Sequence, residues 1–363
     1  MTDGANDRIA DLITTHALDL NRFEAGLRRQ ARDFLRELEG ELVAALAKSD
    51  PTGAVRTATQ QRRLERLLEQ VQETIKVSYR AERTRLIGAL RELADIETDF
   101  AARAINTGLQ FDMATVEITS QLLRGIVAGV LIDGAPVSEW WSRQAGDTFE
   151  RFQDAMRAGI AQGETNAQLI RRVRGGRQGG EQVVGFMDTT RRHADSLVRS
   201  ATQAVAAAGR QEVYRQNARL LRGVLWTSTL DLRTTVVCAA RDNKLYEPVT
   251  HEPIGHDLPW LGGPGNLHWG CRSTSAPVTK NWRDLGIDED DLPASARASM
   301  DGEVPTDTDF EAWLARRSVE QQDAVLGKGR AELWRQKKLS FRDLIDGNGR
   351  ELSLKELRER SRG

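Results

Sequence analysis

Two apolar stripes with helical spacing constrain the fold of the first 134 residues. The first stripe consists of Leu35, Leu38, Leu42 and Leu46. The second, after a break at Asp50-Pro51-Thr52-Gly53, consists of Leu64, Leu67, Val71 and Ile75. Steps of three and four residues place each set on one helix face, which must be covered by another helix or another copy of the chain. Because no heptad pattern is sustained, the sequence predicts an antiparallel helical bundle over residues 1–134, with self-association through these helices as the alternative.

A second helical block is predicted over residues 135–220. Gly163-Glu164-Thr165-Asn166 is typical of the end of one helix and the capped start of the next. The glycine-rich loop 175–180 follows, next to Arg171, Arg172 and Arg174. Such a segment can contact DNA phosphates, but a solvated loop is the favoured interpretation. It is not a P-loop, the glycine-rich loop that binds nucleotide phosphates, because no Gly-Lys-Ser/Thr follows it.

The pattern changes at residue 221, where a compact β-containing module with long loops is predicted to extend to residue 280. Residues 224–228 alternate like a strand, and residues 234–237 are all β-branched, which also favours a strand. Proline and glycine are concentrated in residues 248–265, as is usual in loops.

The C-terminal part is predicted to consist of a linker, residues 281–309, and a helical arm, residues 310–363. The linker is acidic and interrupted by prolines, so it cannot bury much apolar area. The apolar residues of the arm are Trp313, Leu314, Val325, Leu326, Leu333 and Trp334. Helices this short need a partner, and we expect the arm to dock on a partner rather than to join the core of the module. The predicted fold class is α+β, mostly α.

Charge and hydropathy exclude several classes of protein. The formal net charge is −1, so no global field attracts nucleic acid or an anionic membrane. No run approaches the roughly 20 apolar residues of a membrane helix, and the N-terminus lacks a secretory signal pattern. We therefore expect a chain that stays in the cytoplasm or in a particle assembled there. In that compartment Cys238 and Cys271 would be reduced rather than joined in a disulfide.

The most specific pattern lies between residues 226 and 272. It reads Trp226, Asp231-Leu232-Arg233-Thr234, Cys238, Asp242 and His268-Trp269-Gly270-Cys271-Arg272. This pattern resembles the Mu F-like phage head morphogenesis family, whose signature has the same residue types in the same order. Upstream, the helix junction at 163–166 and the alanine-rich helix near residue 200 resemble the family's helical region. Downstream, residues 310–340 resemble its C-terminal extension.

One departure from the family bears on metal binding. Many relatives end the motif Cys-Arg-Cys, whereas this chain has Ser273 in the last position. Cys238, His268 and Cys271 supply thiolates and an imidazole, which suit tetrahedral zinc, but a structural site normally has four protein ligands. Asp242, His251, His256 or water are candidates for the fourth. The alternative is that no metal binds, with Cys238 a buried apolar thiol and His268 a hydrogen-bonded core residue.

The other motif residues are expected to have structural roles. Asp231 and Arg233 would share a face on a strand. Arg233 is predicted to pin a loop through an ion pair, with Asp242 as a candidate partner, or through backbone hydrogen bonds, and Arg272 to do the same at the far end of the module. Trp226, Trp260 and Trp269 are expected to be core or interface anchors. A catalytic alternative would make Cys238 a nucleophile and His268 its base, but only apolar residues flank Cys238 closely, and we therefore predict no enzymatic activity.

The resemblance implies a minor structural protein of a tailed-phage head, located in the virion and in the host cytoplasm during assembly. Portal, capsid and scaffold proteins are the implied partners, and a role in DNA packaging or delivery stays open. The alternative function is a nucleic-acid-binding zinc module that travels with the phage genome. A nuclease is not indicated, because the spare histidines, His251 and His256, lie in a proline-rich loop.

Overall fold

The computed structural model describes residues 4–49, 51, 58–109, 111–178, 180–280, 285, 296–300, 302–305 and 308–361. Of the residues that the structure describes, 64% are helical, and their strands form small sheets of two to four strands. The prediction of an α+β fold that is mostly α is therefore confirmed.

The secondary structure elements are numbered in chain order. The helices are α1 (Gly4–Ser49), α2 (Ala58–Leu109), α3 (Ser120–Gly129), α4 (Val137–Ala161), α5 (Asn166–Arg174), α6 (Phe186–Gln216), α7 (Val236–Ala239), α8 (Phe310–Ala315), α9 (Val319–Leu326), α10 (Lys328–Arg335) and α11 (Leu354–Arg360). The strands are β1 (Leu131–Ile132), β2 (Ala135–Pro136), β3 (Gly176–Gln178), β4 (Glu181–Val183), β5 (Leu221–Thr227), β6 (Leu245–Tyr246), β7 (Pro253–Ile254), β8 (Thr274–Thr279), β9 (Ala296–Ser299) and β10 (Gly302–Pro305). Short 3₁₀ helices span Ala218–Leu220 and Phe341–Leu344.

The chain folds into two compact units. The helical unit comprises Arg22–Arg91 and Val127–Thr202. The sheet unit comprises Met1–Asn21, Glu92–Ile126 and Gln203–Gly363. Helices α1, α2, α3 and α6 each contribute residues to both units, so the helical region predicted at residues 1–134 is shared between them.

The predicted apolar stripes form much of the core of the helical unit. Leu35, Leu42 and Leu46 of α1 are fully buried, and so is Val71 of α2. Leu64, at the start of the second stripe, is half-buried. The helical spacing of these residues therefore identified the buried faces of both long helices.

Two aromatic residues join α2 to α4 within the helical unit. The hydroxyl groups of Tyr79 and Thr148 lie 2.8 Å apart, and the indole N–H of Trp141 donates to the Tyr79 carbonyl at 3.2 Å. Both aromatic side chains are almost completely buried. Satisfying these polar atoms inside the core fixes how the two helices pack, because an unpaired buried group would be costly.

The helix junction at 163–166 is where the sequence predicts it. Helix α4 ends at Ala161 and α5 begins at Asn166. Thr165 caps α5: its side chain accepts from the Gln168 N–H, and the Gln168 side chain accepts from the Thr165 N–H. This reciprocal capping box ends one helix and starts the next within four residues.

The glycine-rich segment that follows is a hairpin, so the prediction of a flexible loop is wrong there. Strand β3 pairs with β4 in antiparallel register, from Gly176↔Val183 to Gln178↔Glu181. Two of the neighbouring arginines are neutralised within the unit: Arg172 pairs with Glu164 at 2.6 Å and Arg174 with Glu39 at 3.3 Å. These charges are therefore already balanced by carboxylates.

The main sheet of the sheet unit is antiparallel, with the order β7-β6-β5-β8. Strand β5 confirms the strand predicted at 224–228 and pairs with β8 from Leu221↔Thr279 to Thr227↔Thr274. Its buried residues Leu221 and Val224 form one cluster with Val213 and Tyr214 of α6. This packing holds the first half of β5 against α6, ahead of the motif residue Trp226.

The β-branched run 234–237 does not form a strand, contrary to the prediction. The chain turns at residues 231–234, where Asp231 accepts from the Arg233 N–H at 2.9 Å and the Thr234 hydroxyl donates to the Thr229 carbonyl at 2.5 Å. Thr235 then occupies the N-cap position of the short helix α7. Side-chain hydrogen bonds of Asp231 and Thr234 hold this turn, and the run continues into α7 rather than pairing with a neighbouring strand.

The C-terminal segment belongs to the core of the module, so the prediction of a separate docking arm is wrong. Phe310, Trp313 and Leu314 of α8 share one buried cluster with Leu230 and Leu258 of the module. Short helices that cannot fold alone gain their stability from this packing.

Part of the predicted linker is structured as well. Residues 281–284 and 286–295 lie outside the described residues, but β9 and β10 form an antiparallel hairpin. At its turn, the Met300 N–H donates to the Leu230 carbonyl at 3.1 Å. The hairpin therefore connects to the module directly before the C-terminal helices begin.

Candidate metal centre

Two elements of the sheet unit bring the cysteines together across 33 residues of chain. Helix α7 carries Cys238. His268 and Cys271 lie on one turn, in which the Cys271 N–H donates to the His268 carbonyl at 3.0 Å. This turn leads directly into β8, whose first residue, Thr274, pairs with Thr227 at the end of β5. The β5–β8 pairing therefore places the turn beside α7.

The three predicted ligands meet at one point. The Cys238 Sγ lies 3.2 Å from the His268 Nε2 and 3.7 Å from the Cys271 Sγ. All three ligand atoms lie within 4.8 Å of one another, so this group can hold a metal ion. Both cysteines are free thiols, with Cys238 2% and Cys271 0% exposed, while His268 is half-buried.

The tautomer of His268 suits metal binding. Its Nδ1 lies 3.0 Å from the Trp269 carbonyl, which can only accept a hydrogen bond, so Nδ1 carries the proton. The Nε2 lone pair therefore points toward Cys238. Orientation of an imidazole by a backbone carbonyl is the usual arrangement around histidine ligands of metals.

The residues considered as a fourth ligand are engaged elsewhere. Asp242 accepts from the backbone N–H groups of Ser228, at 2.6 Å, and Phe310, at 2.8 Å. His251 stacks on Trp260 with ring centroids 4.6 Å apart, and the His256 Nε2 lies 2.8 Å from the Leu245 carbonyl. Asp242, His251 and His256 therefore do not belong to the described group of Cys238, His268 and Cys271.

Two hydroxyl groups adjoin the ligand set instead. The Thr235 hydroxyl lies 3.0 Å from the His268 Nε2. Ser273 contributes to lowering the pKa of Cys238. Thr235 and Ser273 therefore lie beside the ligand set, and a hydroxyl group can supply an oxygen ligand.

The two thiols differ in acidity. The hydrogen bond from Cys271 lowers the pKa of Cys238 to about 7 against the effect of burial, and the charge of Arg241 contributes to the lowering. The same hydrogen bond, together with burial, raises the pKa of Cys271 well above its usual range. The residues that flank Cys238 are apolar, but the expectation that no electropositive group lowers its pKa is wrong, because the charge of Arg241 contributes to the lowering.

Asp231 and Arg272 form the clamp of the module. The Arg272 guanidinium donates to both carboxylate oxygens of Asp231, at 2.5 and 2.7 Å. Burial alone would raise the pKa of Asp231, but the hydrogen bonds and charges of Arg272 and Arg233 bring it below its usual value. Arg233, predicted to pin the loop, is 78% exposed and reaches Asp231 only at 3.6 Å. The pinning role therefore belongs to Arg272.

The tryptophans of the motif differ in burial. Trp226 is fully buried and forms one cluster with Cys238, Tyr246 and Cys271. Trp260 packs against that cluster, whereas Trp269 is 37% exposed. Trp226 and Trp260 are thus core anchors, and Trp269 lies at the surface beside the candidate site.

Comparison with known proteins identifies no relative: no protein-family model matches the chain, and no curated protein or solved structure is significantly similar to it. No helix among the described residues is long and apolar enough to cross a membrane.

Proposed function

We propose that this chain is a minor structural protein of a tailed-phage head, acting in head morphogenesis near the portal or the inner capsid wall. The main support for the proposal is that several residues of the Mu F-like pattern make hydrogen bonds or close contacts with one another or with nearby backbone groups. Asp231 clamps Arg272, Cys238 meets His268 and Cys271, and Asp242 caps two backbone N–H groups. Motif residues that stabilise the fold through contacts of this kind are expected in a structural protein.

We propose zinc as the ion of the Cys238–His268–Cys271 group. Two thiolates and an imidazole are ligands that zinc prefers, and the described atoms are close enough to share one ion. Zinc would supply no reaction here; it would fasten α7 to the turn that precedes β8. A complete structural zinc site contributes on the order of 10 kcal/mol of folding free energy, and a site with three protein ligands contributes less.

A structural role also accounts better than catalysis for the Cys238–His268 contact. A distance of 3.2 Å suits a nucleophile and its base, and the pKa of Cys238 near 7 suits one too. A nucleophile must, however, contact a substrate, and Cys238 is buried beneath the aromatic cluster of Trp226 and Tyr246. We therefore propose that the chain is not an enzyme.

The proposed partners are portal, capsid and scaffold proteins of the same particle, within the virion or the host cytoplasm. The alternative of a DNA-binding module lacks a supporting observation. Its candidate basic segment has Arg172 and Arg174 paired with Glu164 and Glu39, and a phosphate would have to displace those carboxylates.

Quantitative mass spectrometry of purified procapsids and virions of the phage that carries this gene tests the proposal. We expect the chain in both, at a small number of copies relative to the major capsid protein, and expect it to be lost when the portal gene is deleted. A host protein of equal cellular abundance is the contamination control. Absence from both kinds of particle would contradict the proposal.

A further inference from the structure

The two thiols of the candidate metal centre form an isolated pair. They are the only cysteines of the chain, and their sulfur atoms lie 3.7 Å apart. A disulfide bond is about 2.05 Å long, so the two atoms need to approach by only about 1.7 Å in total. Each sulfur lies on a different short segment, α7 and the turn before β8.

We infer that Cys238 and Cys271 form a reversible disulfide that excludes the metal ion, so that the centre alternates between a metal-bound reduced form and a metal-free oxidised form. This inference rests on the proposed metal site, because it concerns the regulation of that site. Both sulfur donors are consumed by the disulfide. His268 alone then remains of the three ligands, and one imidazole cannot retain the ion.

The chemistry balances with hydrogen peroxide as the oxidant. One thiolate attacks a peroxide oxygen, the O–O bond breaks, and a sulfenic acid and one water form. The second thiolate then attacks the sulfenic sulfur, the S–O bond breaks, and the oxygen leaves as a second water. Because both sulfurs start as thiolates, two protons from solvent complete the two waters. The two sulfurs are oxidised by one electron each, and the peroxide is reduced by two electrons.

The histidine side of the thiol pair is its more exposed side. Cys238 and Cys271 are buried, but His268, which contacts Cys238, is half-buried, and Trp269 beside it is partly exposed. A peroxide molecule is close in size to water and can enter where a larger disulfide reagent cannot. We therefore expect peroxide to oxidise the pair much faster than oxidised glutathione does.

In the oxidised form, the disulfide would still cross-link α7 to the turn before β8. The metal ion and the disulfide connect the same two segments, across the same 33 residues. A head protein is assembled in a reducing cytoplasm and released in a particle into oxidising surroundings. Exchanging one cross-link for the other would hold the module together in both compartments.

The test uses the full-length protein purified under reducing conditions. The zinc-loaded protein is titrated with hydrogen peroxide in the presence of a coloured zinc indicator, and peptides are mapped without reduction. We expect a cross-linked peptide containing Cys238 and Cys271, about 2 Da lighter than its reduced parts, and zinc release in step with it. Dithiothreitol should restore both thiols and zinc binding. A Cys238→Ser variant is the control and should yield no such peptide.

The outcomes separate this inference from the proposed metal site. Protein that binds zinc but yields only sulfinic or sulfonic adducts overturns the inference and leaves the metal site standing. If the disulfide forms while zinc stays bound, the claim that the disulfide excludes the metal ion is wrong. Protein that never binds zinc but forms the disulfide supports the thiol pair and removes the proposed metal from this centre.

Discussion

The carboxylate of Asp242 accepts a hydrogen bond from the backbone N–H of Phe310 at 2.8 Å, and both residues are buried. This bond caps the start of the C-terminal helices with a residue of the motif. The same carboxylate also accepts from the Ser228 N–H. One side chain thus connects β5, α7 and α8, which makes the C-terminal segment part of the module rather than an appendage.

Removal of residues 310–363 should therefore destabilise the sheet unit. The deletion strips Phe310, Trp313 and Leu314 from the shared core, each worth about 1.5–3 kcal/mol of burial, and leaves Asp242 without one of its donors. We expect the truncated chain to aggregate or to melt far below the full chain in calorimetry. Deletion of residues 361–363 alone is the control. A truncated chain with the melting temperature of the full protein would show that the segment is an independent arm.

The Asp231–Arg272 clamp should contribute far more than Arg233. Arg272→Ala removes a two-point hydrogen bond and leaves a largely buried carboxylate, so we expect a loss of about 2 kcal/mol in the free energy of unfolding. Arg233→Ala removes an exposed charge and should change stability by no more than about 0.5 kcal/mol. Urea unfolding of both variants measures the difference. Equal losses would mean that the guanidinium of Arg272 is not the clamp.

How much of this site was predictable depends on the residue. Cys238, His268 and Cys271 could be proposed from their types and order, because few other residues hold a metal. The exposure of Arg233 could not be predicted, since it depends on a turn at 231–234 that reverses the chain. The role of Asp242 depends on Phe310, 68 residues away, and no local pattern connects them.

The fold shows the same division between local and distant effects. Leu35, Leu42 and Leu46 identified the buried face of α1, because a helical stripe is a property of the segment itself. The β-branched run 234–237 does not form a strand, because side-chain hydrogen bonds of Asp231 and Thr234 form a turn there and the chain then enters α7. The packing of Trp313 on the module was missed, because short apolar helices do not reveal which surface covers them.

Acid should weaken the sheet unit through Glu97. This carboxylate is buried between Arg210, at 2.5 Å, and the His16 Nε2, at 3.0 Å. Burial alone would raise the pKa of Glu97, but the charges and hydrogen bonds of Arg210 and His16 lower it below the ordinary 4.5. A lowered pKa in the folded state means that the stabilisation is present above about pH 5 and is lost as the pH falls through the folded-state pKa.

Glu97→Gln tests this dependence. At pH 7 the variant leaves the buried Arg210 uncompensated and should lose about 3 kcal/mol. As the pH falls through the lowered pKa of Glu97, the wild-type carboxyl becomes protonated, so the gap between the two proteins should narrow in urea unfolding. Asp99→Asn, which disrupts an exposed pair with Arg103 on the same helix, should cost little at pH 7. A gap that stays constant from pH 7 to pH 3 would contradict the role given to Glu97.

The zinc content of the purified protein tests the metal centre most directly. Elemental analysis should be made on protein purified under reducing conditions without chelator, for the wild type and for Cys271→Ser, His268→Ala and Arg233→Ala. We predict near-stoichiometric zinc in the wild type and in Arg233→Ala, because the Arg233 side chain is 78% exposed and is not one of the ligands. We predict loss of zinc with lower thermal stability in the other two. A folded wild-type protein that contains no zinc, and takes up none when zinc is added, would contradict the account.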